Sequence, residues 1–152
     1  MANNLKKKIE LSNLLEQVET NFDSKEIISK LDKLHSKSKA HVIGITGSPG
    51  VGKSSLIDKL VKHIRKKNKS VGIIAIDPSS ERSGGALLGD RTRLMLNPSD
   101  NNVFVRSMAS KSFLGGISEL TYPSMVVMRA MFDFLTYSYT HLRAHETSRN
   151  LV

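Results

Sequence analysis

Apolar positions in the first forty residues recur at intervals of three and four. Leu5, Ile9, Leu11, Leu14, Leu15 and Val18 lie largely on one helical face, and Ile27, Ile28, Leu31 and Leu34 resume the pattern after a break at "NFDS". Two amphipathic helices are expected, the second starting at Ser24 with Glu26 close behind and leaving through the polar linker "HSKSK". The pattern then shortens. "HVIGIT" (41–46) is a brief apolar run that suits a buried parallel strand, and Leu56, Ile57, Leu60, Val61 and Ile64 return to helical spacing. Next come a second strand, "VGIIAID" (71–77), a glycine-rich loop, "SSERSGGALLGD" (79–90), a short helix, "RTRLML" (91–96), and a third strand, "NVFVRS" (102–107). A last helix is expected through "SMVVMRAMFDF" (124–134), with Pro123 in its first turn, where a missing amide hydrogen matters little. Strands alternating with helices predict an α/β domain with a parallel sheet, and neither an internal repeat nor a low-complexity segment interrupts it.

A chain of 152 residues is long enough for one domain with a core. The net charge of +9 invites an anionic partner, but much of the excess lies in "KHIRKKNK" (62–69), where cations also suit the carboxyl end of a helix. Aromatics are only 5% of the chain and do not alternate with basic residues as in base-stacking surfaces, so a nucleic-acid partner is not expected. The lack of cysteine excludes disulfides and thiolate metal sites. No apolar run approaches the roughly 18 residues of a membrane span, and "MANNLKKKIELSN" has neither an apolar signal core nor transit-peptide character. The expectation is a soluble, cytoplasmic protein with no membrane partner.

Gly47, Ser48, Pro49, Gly50, Val51, Gly52, Lys53 and Ser54 fit G-x-x-x-x-G-K-[ST] between a predicted strand and a predicted helix, and with Ser55 they form the expected nucleotide-contacting run. Glycines let the backbone fold into a nest of amide hydrogens around a phosphate, with the positive end of the next helix behind it. Lys53 can reach the β- and γ-phosphate oxygens, and the Ser54 hydroxyl can ligate magnesium. Asp77, at the end of the second strand, either holds a water of the magnesium shell or caps the turn at Pro78. Asp90 ends the glycine-rich loop, where it serves a segment closing over the γ-phosphate, caps the helix after it, or does both. Lys53 and Asp90 are thus the candidate catalytic residues, and Ser54, Asp77 and Asp90 the candidate metal residues. His141 and His145 have i, i+4 spacing but lack the H-E-x-x-H pattern and a clear third ligand, and Met125, Met128 and Met131 are read as core filling.

The stretches "HVIGITGSPGVGKSSLID", "IIAIDPSS", "SGGALLGDRTRL" and "VFVRSMASKSFLGGISELT" together resemble, in order and spacing, the MeaB/ArgK-type P-loop GTPases, also called methylmalonyl-CoA mutase-associated GTPases. The resemblance covers about residues 40 to 121. It implies a three-layer P-loop domain, GTP or GDP with Mg2+ at the loop, a homodimer in the full-length protein, and a metallochaperone role in delivering adenosylcobalamin to methylmalonyl-CoA mutase and protecting that enzyme. Lys53, Ser54, Asp77 and Asp90 fall on family positions associated with phosphate and magnesium. Relatives have also been described as ATPases of arginine or ornithine transport, which would make the nucleotide ATP.

Downstream the chain departs from the family. Where a strand resembling "ETVGVGQ" should follow the last helix, "FDFLTYSYTHLRAHETSRNLV" stands instead, and no [NT]KxD segment follows the phosphate loop. "SKLD", at Ser29 to Asp32, lies before the loop on an amphipathic helix. "SYTHLRAHETSRNLV" resembles translated sequencing-adapter read-through, so the natural chain is expected to be longer. The organisation expected is a helical extension over 1–40, a partial, truncated P-loop domain over 41–136 and a non-matching tail over 137–152. An ATP-dependent small-molecule kinase and a non-catalytic nucleotide-binding interaction module are the alternative readings.

Overall fold

In a computed structural model, the structure describes residues 2–48, 50–77, 96–97, 100–109 and 119–140. Helices α1 (Ala2–Asn21) and α2 (Lys25–Lys37) lead into β1 (His41–Gly47). They are followed by α3 (Lys53–Lys66), β2 (Val71–Asp77), β3 (Val103–Ala109), α4 (Thr121–Met131) and β4 (Phe134–Thr140). The strands form one parallel four-stranded sheet in the order β1-β4-β2-β3. The short helix and the glycine-rich loop expected after β2 lie outside the described residues, as do Pro49, Asp90, His141 and His145.

The helix boundaries follow local chemistry. Ser24 is the N-cap of α2, its Oγ accepting the Ile27 N–H at 3.2 Å, as its position before the apolar run foretold. Pro123 sits in the first turn of α4 as expected. That helix ends at Met131, however, and Phe134 opens a strand, so the expected helix through residue 134 is too long. Asp133 sets the break. Its Oδ2 accepts the Ser70 N–H at 2.8 Å and the Ser70 hydroxyl at 2.7 Å, while its own N–H donates to Ser70 Oγ at 3.0 Å. The Asp133 carbonyl accepts the His41 N–H at 3.0 Å, and the Ser70 carbonyl accepts the Phe134 N–H at 3.1 Å. One aspartate thus ties together the starts of β1, β2 and β4.

Two apolar layers sandwich the sheet. On one face Leu11, Leu15 and Val18 of α1, Ile27 of α2 and Val127 and Met128 of α4 pack with Ile74, Ile76, Met108 and Leu135. On the other, Ile57, Val61 and Ile64 of α3 pack with Val71, Ile73 and Val103. The three-layer α/β arrangement is the one expected, and α1 and α2 contribute to its main core. Every β2 residue from Val71 to Ile76 is buried because both faces of that strand are covered, which is why it reads as an unbroken apolar run. The bare Gly72 leaves room for side chains packed on the sheet: a Cβ there would stand 2.7 Å from Met128 Cε and 3.0 Å from Phe132 Cδ2.

The Ser70 hydrogen bonds, first backbone and then side chain, hold the Asp133 carboxyl below its usual range, with Lys69 assisting. Because the folded-state pKa is lowered, this stabilisation is present above the unfolded value and is lost as pH falls through the folded value. Asp133→Asn is therefore expected to lower stability by about 1 kcal/mol at neutral pH. Its urea midpoint should converge with that of the parent as acid protonates Asp133. A constant gap across that range would assign the effect to packing.

Candidate functional site

β1 delivers the chain to the carboxyl edge of the sheet, and the turn that follows leads directly into α3. Two backbone positions in that turn need glycine: Gly50 has φ 82° and Gly52 φ 91°, in the left-handed region where a side chain is strained. Gly52 is also the N-cap of α3, so no side chain caps the helix, and the first turn carries no acidic residue. The free amide hydrogens and the positive end of the helix dipole are left available to an anion.

Lys53, the first residue of α3, folds back over this turn. Its Nζ donates to the Gly47 carbonyl at 2.7 Å and to the Ser48 carbonyl at 2.8 Å, bridging the strand end and the loop. A phosphate brought to the amide nest would meet this ammonium. Ser54, next on the helix, is half-buried in the same turn. Of the expected nucleotide-contacting residues, the structure brings Gly47, Ser48, Gly50, Val51, Gly52, Lys53, Ser54 and Ser55 into one strand–turn–helix unit.

Asp77 is the last residue of β2, paired in register with Ala109, so it stands on the same carboxyl edge as Gly47. The two strands are not neighbours. β4 lies between them, and Gly47 pairs with Thr140 at its end. Two strand spacings, about 10 Å, therefore separate the ends of β1 and β2. The sequence reading passed over β4 as a departure from the pattern. "FLTYSYT" does carry a strand signal, with Thr and aromatic residues at alternating spacing. The strand is present, but no Asp or Glu occurs within it. Among the described residues no group of three or more histidines or carboxylates converges to hold a metal ion, and no helix is long and apolar enough to cross a membrane.

A sequence model of the family described as "Methylmalonyl Co-A mutase-associated GTPase MeaB" matches residues 10–137, which takes in α2, α3 and α4, β1 to β3 and the first half of β4. A protein of Pyrococcus horikoshii that carries a GTPase name is 48% identical over 107 residues, covering 70% of this chain and 33% of the relative. A similarly named protein of Mycobacterium tuberculosis is 39% identical over 103 residues, 67% of this chain and 31% of its own length. The fused isobutyryl-CoA mutase of Cupriavidus metallidurans is 39% identical over 112 residues, 72% of this chain and 10% of that much longer protein. The chain spans about a third of the length of the two GTPase-named relatives.

Proposed function

Because the chain belongs to the MeaB family of methylmalonyl Co-A mutase-associated GTPases, we propose that it supplies the phosphate-binding part of a protein that binds and hydrolyses GTP and, as a metallochaperone, assists adenosylcobalamin delivery to methylmalonyl-CoA mutase and protects that enzyme. The observation that carries the reading is the strand–turn–helix unit itself: Gly50 and Gly52 in left-handed conformations, an N-terminus of α3 without a side-chain cap, and Lys53 Nζ within 2.8 Å of two loop carbonyls. In this reading Lys53 exchanges its loop carbonyls for phosphate oxygens, while the loop amides and the helix dipole hold the β-phosphate. Ser54 and Asp77 would hold magnesium, Ser54 directly and Asp77, at the end of β2 beyond β4, through a water; a hydroxyl and a carboxylate are oxygen donors suited to that hard cation. When bound, the ion supplies neutralisation of phosphate charge. Asp90 keeps its proposed place near the γ-phosphate on the strength of the family resemblance.

Competition of GDP and ADP against a fluorescent nucleotide tests the reading. Preference for GDP supports it, whereas equal or tighter binding of ADP moves the chain to the ATP-using alternatives. Ser54→Ala is expected to bind nucleotide in the absence of magnesium like the parent and to lose most of the gain, about tenfold, that magnesium confers. A variant that keeps the full magnesium effect would remove Ser54 from the metal site. For the partner, nucleotide-dependent co-purification with methylmalonyl-CoA mutase is the expected result.

A further inference from the structure

The amino-terminal edge of the sheet, opposite the phosphate loop, gathers cations from three separate segments. Lys8 on α1 reaches it by donating from Nζ to the Asp100 carbonyl at 3.1 Å. Lys37 and Lys39 stand where α2 enters β1, and Lys66, Lys67 and Lys69 where α3 enters β2. The carboxylates there are already engaged. Asp100 Oδ2 pairs with Arg65 Nε at 2.7 Å and its Oδ1 accepts the Asn102 N–H at 2.9 Å. Asp133 is held by Ser70 and by Lys69 at 3.4 Å. Lys37, Lys39, Lys66 and Lys67 are all exposed.

We infer that this end of the molecule is a docking face for a carboxylate-rich protein surface, used while the nucleotide site at the other end stays open. The composition selects that partner. Lysine heads are compact, strongly hydrated point charges that match dispersed carboxylates, whereas the one arginine at this edge, Arg65, is spent on Asp100. Nucleic acid would call for a row of Tyr, Phe or Trp platforms among the cations, yet Tyr122, the exposed one among the described residues, belongs to the first turn of α4, away from this edge, and the His41 imidazole at the edge lies against Phe134 with ring centroids 5.3 Å apart. A basic patch without an apolar anchor attaches only marginally to a bilayer. The face does not depend on which nucleotide is bound, so it stands or falls separately from the assignment of GTP.

The test is fluorescence anisotropy with labelled poly-L-glutamate, run beside an oligothymidylate and phosphatidylserine–phosphatidylcholine vesicles. The parent protein is expected to bind polyglutamate at low salt and to weaken as the Debye length shrinks to about 8 Å. Lys66→Glu/Lys67→Glu should bind at least about tenfold more weakly. Lys25→Glu/Lys59→Glu, which changes the net charge equally but away from this edge, should stay within about twofold. Should the first variant fail to fold by circular dichroism, Lys37→Glu/Lys39→Glu takes its place. Equal losses in the edge and control variants would overturn the proposal, as would no polyglutamate binding at low salt, or tighter binding of the oligonucleotide or the vesicles.

Discussion

Lys53→Ala is expected to weaken nucleotide binding by about a hundredfold or more, while the protein unfolds at nearly the same denaturant concentration. Hydrogen bonds to charged groups contribute about 1.5–3 kcal/mol each, and every tenfold in affinity corresponds to about 1.4 kcal/mol, so the loss of two phosphate contacts gives at least that factor. The stability effect is small because the Ser48 carbonyl lies in an exposed turn and the Gly47 carbonyl, at the end of β1, is only part-buried, so water can take over there. Lys53→Arg should rescue little: its planar fork is wider than an ammonium held at 2.7 and 2.8 Å between two carbonyls. Isothermal titration with GDP reads both variants. Affinity within about threefold of the parent for the alanine variant would remove Lys53 from the phosphate site, and full rescue by arginine would reduce its role to bare charge.

The largest stability effect is expected in α1. Leu15 is completely buried, in one cluster with Ile27 of α2, Val127 and Met128 of α4 and Leu135 of β4. Leu15→Ala should therefore cost about 2–5 kcal/mol, the usual range for such a deletion in a close-packed core. Urea denaturation is the measurement, with circular dichroism and tyrosine fluorescence followed together. A single lowered transition is expected, because the helix and the sheet share that core. Two separated transitions, with only the helical signal shifted, would show instead that α1 and α2 melt as a unit of their own.

Local chemistry made much of this legible in the sequence. The apolar run at 71–77 gave a strand, the spacing of Ile57, Val61 and Ile64 gave the buried side of α3, and Ser24 announced the start of α2. "HVIGIT", expected as a buried strand, is instead largely exposed, with Val42 43% exposed, because β1 stands at the end of the strand order among the described residues. The phosphate loop was legible for the same reason: its glycines, lysine and serine are contiguous, and each has a local task. What escaped was set by distant partners. Apolar spacing carries through Phe132 and Phe134, so nothing local ends the last helix, and the break is fixed by Asp133 bonding to a serine 63 residues away. Likewise, the insertion of β4 between β1 and β2 is a property of the assembled sheet: the strand signal in "FLTYSYT" does not say which neighbours the strand takes. Sequence placed Asp77 at a strand end, but only the strand order shows that β4 stands between it and the loop.

That strand order also bears on the protein's birth. β1 and β2 make no ladder with each other; each pairs with β4, the last of the four described strands in chain order. Gly47, where the phosphate loop begins, acquires its ladder partner Thr140 only after roughly 90 further residues have been made, about 5–20 s of translation at ordinary ribosome speeds. Until then the loop hangs from an unsupported strand. The nascent chain consequently passes through a period in which the nucleotide motif is fully synthesised while β1 still lacks its ladder partner.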